Sequence, residues 1–176
     1  MANYSAPGVY FESNSFSPKT IQDLPTSIAA FIGYTQISEI YSGQPPIIEV
    51  NSLQEYIEHF GGACKRQYVV SQSIGILSGI KINAANNKPE FSLYYAVKHF
   101  FENGGELCYI TSIGSYNSLP NRTDFINGLT AIEQVESITL IALTEAACLL
   151  PAGDYYHLCS QALAQCEKLI NRITLI

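Results

Sequence analysis
The chain has 176 residues, 47% of them apolar and only 14% charged, with 9 Lys plus Arg against 15 Asp plus Glu for a net charge of −6. That length fits one domain, or one domain with an arm; the apolar content argues against intrinsic disorder, and the acidic balance argues against nucleic acid, which demands clustered Lys and Arg. A charged fraction well under the usual ~25% on an ordinary apolar share predicts that part of the outside is buried against something else.

In chain order, Met1–Pro7 offers neither a basic head nor an apolar run, so no secretory signal is read. No stretch approaches the ~20 apolar residues of a membrane helix, and no membrane contact is expected. Pro7, Pro18 and Pro25 punctuate residues 1–25, which predicts an extended N-terminal arm or linker instead of a helix. Its compact apolar cluster is Val9, Tyr10 and Phe11, with Phe16 further on. Residues 26–176 read as an α/β body. Ile28–Gly33 is a continuous apolar run, the mark of a strand covered on both faces, and Pro46–Val50 reads as a second strand. Ser52 and Glu55 form a capping box for a helix burying Leu53, Tyr56, Ile57 and Phe60, which Gly61 and Gly62 end. Tyr68–Val70 and Ile74–Ile82 look like strands of a hairpin, and residues 83–89 like a loop.

Ser92–Asn103 is a helix with Leu93, Ala96, Val97, Phe100 and Phe101 inward, closed by Gly104 and Gly105. The order then repeats: strand Leu107–Ile113, helix Asp124–Val135, strand Ser137–Leu143, helix Asp154–Asn171 with Cys159, Ala162, Leu163, Cys166 and Ile170 on one side, and strand Arg172–Ile176. Strands alternating with helices predict a mainly parallel sheet with flanking helices and right-handed crossovers. An apolar last strand, Ile173–Ile176, needs a cover: either it lies centrally between other strands or, the favoured reading, the chain is the front part of something longer.

Motifs for chemistry are missing. After the first strand, Gly33–Ser38 lacks the second Gly of a dinucleotide fingerprint, no Gly precedes a Lys as a phosphate loop requires, and Gly75–Gly79 has the wrong spacing for a nucleophile elbow. His59 and His99 sit near helix ends, where histidine commonly meets solvent or the helix dipole. His157 and Cys159 are two apart and do not share a helical face, so they do not make a metal set with Cys166. Cys64, Cys108, Cys148, Cys159 and Cys166 are an odd number without a CxxC pair and read as reduced, mostly buried thiols. Glu55, Glu58, Glu133 and Glu136 fit exposed helix faces or ends. The doublets Tyr94-Tyr95, Phe100-Phe101 and Tyr155-Tyr156 place one ring inward and its neighbour ~100° round, which favours protein contact. No enzyme, cofactor, metal or catalytic residue is predicted.

The residues Met1–Glu12, Pro25–Gly33, Glu55–Gly62, Leu93–Gly105, Cys108–Ile110 and Cys166–Ile173 together resemble contractile tail sheath proteins, in style closest to sheaths of phage-tail-like, extracellular contractile injection systems. The resemblance covers the N-terminal part of that longer family and implies a structural subunit in stacked helical rings around an inner tube, with baseplate and cap proteins at the ends. It implies assembly in the bacterial cytoplasm and release within a particle. Extended arms add strands to neighbouring subunits, and repacking of the bodies drives the tube outward without nucleotide hydrolysis. Mapped here, the inter-subunit strand is Val9, Tyr10 and Phe11, with Pro7 and Gly8 setting its conformation. The alternatives are a non-polymerising adaptor or baseplate-associated protein of sheath-like fold, or a nucleotide-binding α/β enzyme.

Overall fold
The computed structural model describes residues 27–38, 44–66, 68–73, 76–82 and 89–176. The arm over residues 1–25 and its expected contact residues Pro7, Gly8, Val9, Tyr10 and Phe11 lie outside the described residues.

Ala29–Thr35 (β1) is buried at every position, as a strand covered on both faces must be. It pairs in parallel with Cys108–Ser115 (β5) on one side and Leu140–Ala142 (β6) on the other. Ile173–Leu175 (β7) extends the sheet in parallel beyond β6, and Ile47–Val50 (β2) lies antiparallel to β5 at the far edge. The order is β2-β5-β1-β6-β7, a mainly parallel α/β sheet as the alternation of elements predicts.

Alternate residues of β1 feed two cores. Ala30, Ile32 and Tyr34 pack with Phe125, Leu129 and Ile132 of Arg122–Ile132 (α3) and with Leu158 and Ala162 of Ala152–Leu169 (α5). Ala29 and Phe31 pack with Tyr56 and Phe60 of Leu53–Phe60 (α1) and with Leu93 and Val97 of Leu93–Glu102 (α2). Helices on both faces are what a parallel sheet requires. The chain thus travels from β1 to β5 over one face and from β5 through β6 to β7 over the other. Opposite directions on opposite faces keep one crossover hand.

Local chemistry explains the ends of these elements. Ser52 Oγ accepts the backbone N–H of Glu55 at 3.2 Å, but the Glu55 carboxylate accepts from Asn51 N–H at 2.7 Å, so the expected box closes one residue early. Gly61 stops α1 at φ 79°, and a Cβ there would come within 2.7 Å of Gln36 Oε1. Asn121 caps α3 by accepting Asp124 N–H at 2.9 Å, which starts that helix two residues before the expected Asp124.

Several expectations are corrected. The strand expected over Ser137–Leu143 is the shorter β6, Leu140–Ala142; at its start Thr139 and Leu140 share Ile28 O as acceptor, and Ile138 N–H turns back to Val135 O, so the chain before Thr139 is a turn. A short helix, Ala146–Leu149 (α4), follows it without having been foreseen. In α5, Leu163 is 53% and Ile170 89% exposed, not inward. The buried row is Leu158, Cys159, Ala162 and Gln165, with Cys166 partly covered. Gln165 enters that row by donating from Nε2 to Leu129 O at 2.8 Å.

Tyr68–Ser73 (β3) and Ile76–Ile82 (β4) form the expected hairpin, an antiparallel two-stranded sheet separate from the main one. Tyr68, Val70 and Ile80 are exposed on it, and Val70 stands opposite Ile80.

Candidate functional site
Two places in this fold could carry function: the crevice at the carboxyl ends of the parallel strands, and the apolar surface along β6 and β7. The crevice comes first because connections leave β1 and β5 over opposite faces, the arrangement at which doubly wound sheets bind ligands. Here several of the protein's own polar groups bond to one another. The Thr35 and Ser112 hydroxyls lie 2.6 Å apart, and Ser112 Oγ meets Ser38 Oγ at 2.9 Å. The Tyr34 hydroxyl donates to Asp124 Oδ2 at 2.7 Å and accepts Asn121 N–H at 3.1 Å, at the N-terminus of α3.

The N-terminus of α2 is filled in the same way. Ser92 makes no side-chain cap bond, and the first turn of α2 has no acidic residue. The cap comes from Glu145, just after β6. Its Oε2 accepts the N–H groups of Ser92 at 2.9 Å and Leu93 at 3.0 Å, while Oε1 accepts Tyr34 N–H at 2.5 Å. Glu145 is fully buried, and the ion pairs among the described residues do not include it. Burial pushes its carboxyl up to about 7, against the opposing pull of the three N–H bonds. Gly33 makes room for it, since a Cβ at that position would stand 2.5 Å from Glu145 Oε1. Chain distance hid Glu145 from sequence reading. The legible signal was the want of an acid behind Ser92.

The second place is apolar. Beside α2, the sheet face carries Phe31 of β1, Leu140 and Ala142 of β6, and Leu175 of β7, which with Phe100 line an open groove of about 480 Å³. Phe31 and Phe100 meet edge to face, ring centroids 5.6 Å apart, at its α2 wall. No Asp, Glu, Lys or Arg lines this groove. At its rim Ile173, Leu175 and Ile176 are 60%, 56% and 61% exposed.

The residues singled out by sequence fall as follows. His59, His99 and His157 are exposed, and no group of three or more His, Cys, Asp or Glu able to hold a metal occurs among the described residues. Cys64, Cys108 and Cys159 are buried and Cys166 half-buried, while Cys148 is exposed. Tyr94 and Tyr155 pack on the cores while Tyr95 and Tyr156 face out, as the doublets predict; Phe100 and Phe101 both lie half-buried on one core. No described helix is long and apolar enough to cross a membrane.

No protein-family profile and no curated protein matches the sequence. Among solved structures, the chain is similar to the helical sheath of the anti-feeding prophage in its contracted state, with a TM-score of 0.56 and 16% identity. The match covers 99% of this chain and 40% of that sheath chain. The described residues therefore carry the fold of part of a contractile sheath protein, as the sequence resemblance predicts.

Proposed function
We propose that this chain is a structural subunit of a contractile sheath, polymerising in stacked helical rings around an inner tube and shortening to drive that tube outward. The observation that carries this reading is an apolar, charge-free sheet face ending in an exposed strand, on a chain whose fold matches a sheath over 99% of its length. At the crevice where an α/β enzyme would hold its ligand, Thr35, Ser112, Tyr34 and Glu145 bond to groups of the protein itself, which favours a structural role without bond-making chemistry. Copies of the chain are joined by a strand exchanged between subunits, formed by Val9, Tyr10 and Phe11 with Pro7 and Gly8 setting its start. The chain spans 40% of the sheath chain it matches, so contacts with the tube, baseplate and cap belong to the whole assembly. Assembly takes place in the bacterial cytoplasm, and the finished phage-tail-like particle acts outside it.

Negative-stain microscopy tests this. The purified chain should form striated tubes or ring stacks, and deletion of residues 1–20 should leave the α/β body folded by circular dichroism while abolishing lengthwise growth. Single rings or monomers from the intact chain would favour an adaptor of the same fold, and polymers that survive the deletion would refute the role given to Val9–Phe11.

A further inference from the structure
We propose that the free edge of β7 pairs antiparallel with β7 of a second copy of this chain, about a two-fold axis through Thr174, closing the apolar rim of one molecule against the same rim of the other. The inference does not rest on the sheath reading; it rests on one strand and what that strand leaves unpaired.

The two edges of the sheet differ. β2 has Pro45 and Pro46 at its start and an exposed Glu49, devices that keep an edge from pairing with another chain. Ile173–Ile176 has no proline and no charged side chain, and Ile173, Leu175 and Ile176 are exposed. Ile173 N–H is spent inward on Thr139 O at 2.9 Å, so backbone alternation turns the N–H and C=O of Thr174 out to the free edge. The Thr174 hydroxyl is buried and has no hydrogen-bond partner among the described residues.

A second copy answers each of these points. With Thr174 opposite Thr174 of the second copy, the two residues exchange both backbone N–H···O bonds. Their hydroxyls fall on one face as a cross-strand threonine pair, which can hydrogen-bond. Ile173 then stands opposite Leu175 of the second copy, and Leu175 opposite its Ile173, in the class of pair whose side chains lie closest. The run Ile-Thr-Leu is thus close to its own complement in this register. Leu175 lines the apolar groove and Ile173 shares its face by the two-residue period, so the two grooves meet across the axis.

Charge is compatible with a copy as the occupant. A two-fold contact sets residues near the axis against their own kind, so a charge there would repel itself. Each chain carries a net −6, yet no Asp, Glu, Lys or Arg lines the groove. Arg172, next to the strand, is buried, with its guanidinium bonded to Ile132 O and Val135 O. The β7 rim is a place where two acidic molecules can meet without opposing like charges.

Disulfide trapping in the full 176-residue chain, with Cys148→Ser removing the exposed thiol, tests the register. Thr174→Cys should give a covalent dimer under mild oxidation, since the Cα atoms of such a bonded pair lie ~5.5 Å apart, inside the disulfide range of about 4.4–6.8 Å. Ile173→Cys and Leu175→Cys should each fail alone, their like positions lying roughly 8 Å apart, but should crosslink when mixed. Trapping reads this contact whether or not tubes grow, so its outcome is separate from that of the sheath reading. Thr174→Pro removes the outward N–H and spares the β6 ladder; sedimentation velocity should show the dimer dissociation constant rise at least about tenfold, with unchanged circular dichroism. No trapping at any position, equal trapping in all three single variants, or a dimer that Thr174→Pro leaves as tight would overturn the pairing. Should Thr174→Pro fail to fold, the trapping pattern alone decides.

Discussion

Ile170 ends α5 in the left-handed region at φ 61°, its N–H bonded to Cys166 O, with a side chain 89% exposed. Glycine or asparagine ordinarily takes that position, because a branched Cβ crowds the backbone there. The Ile170 side chain gains almost no packing against the described residues, so the strain goes uncompensated there. Ile170→Gly should therefore stabilise the isolated protein by about 0.5–1 kcal/mol, the relief of strain exceeding the entropy that glycine adds to the unfolded chain. Thermal denaturation checks it, and a lowered midpoint would mean that Ile170 is held by contacts other than those described. Gly33 shows the reverse condition, a residue whose smallness is required by the Glu145 carboxylate packed against it.

Between elements, the seam of β7 and α3 depends on Arg172. Its guanidinium donates to Ile132 O at 3.1 Å and Val135 O at 3.0 Å, closing the carbonyl end of α3 from the strand that follows α5. Arg172→Ala removes both charge-assisted bonds, while Ile132 O keeps Val135 N–H at 3.2 Å and Val135 O keeps Ile138 N–H at 3.4 Å, and should cost about 1–2 kcal/mol, measured as a fall in the denaturant midpoint with an unchanged slope. Arg172→Lys should recover little, since an ammonium lacks the planar fork that reaches two carbonyls together. Elements whose signals lie within a few residues were legible in the sequence. The apolar run of β1, the serine cap of α1 and the order of strands and helices all depend on neighbours along the chain. What sequence missed depends on distant groups: the cap of α2 comes from Glu145, and the buried row of α5 turns because Gln165 finds a carbonyl on α3. A glutamine read as polar shifts the apparent apolar stripe toward Leu163 and Ile170, which the fold leaves outside.

For the whole molecule, scarcity of charge and exposure of apolar side chains tell the same story. The sequence has 14% charged residues, and the fold concentrates apolar surface along the β7 rim and on the hairpin row Tyr68, Val70 and Ile80. In the assembly proposed above, with the β7 rim as a contact between copies, Leu175→Asp should weaken self-association in sedimentation velocity by at least about tenfold, the effect of ~1.4 kcal/mol. The monomer's circular dichroism and melting midpoint should change little, because Leu175 is 56% exposed. Unchanged association would show that copies meet elsewhere, with the hairpin next to be examined.

The central place of β1 also bears on how the polypeptide is made. Among the described residues Ala29 is paired with Cys108 and Leu140, so during translation this greasy segment waits on the order of ten seconds, at ~5–20 residues per second, before the ribosome delivers its second flanking strand. Through that interval it is an unpaired apolar strand, the kind of transiently exposed segment that is prone to aggregate.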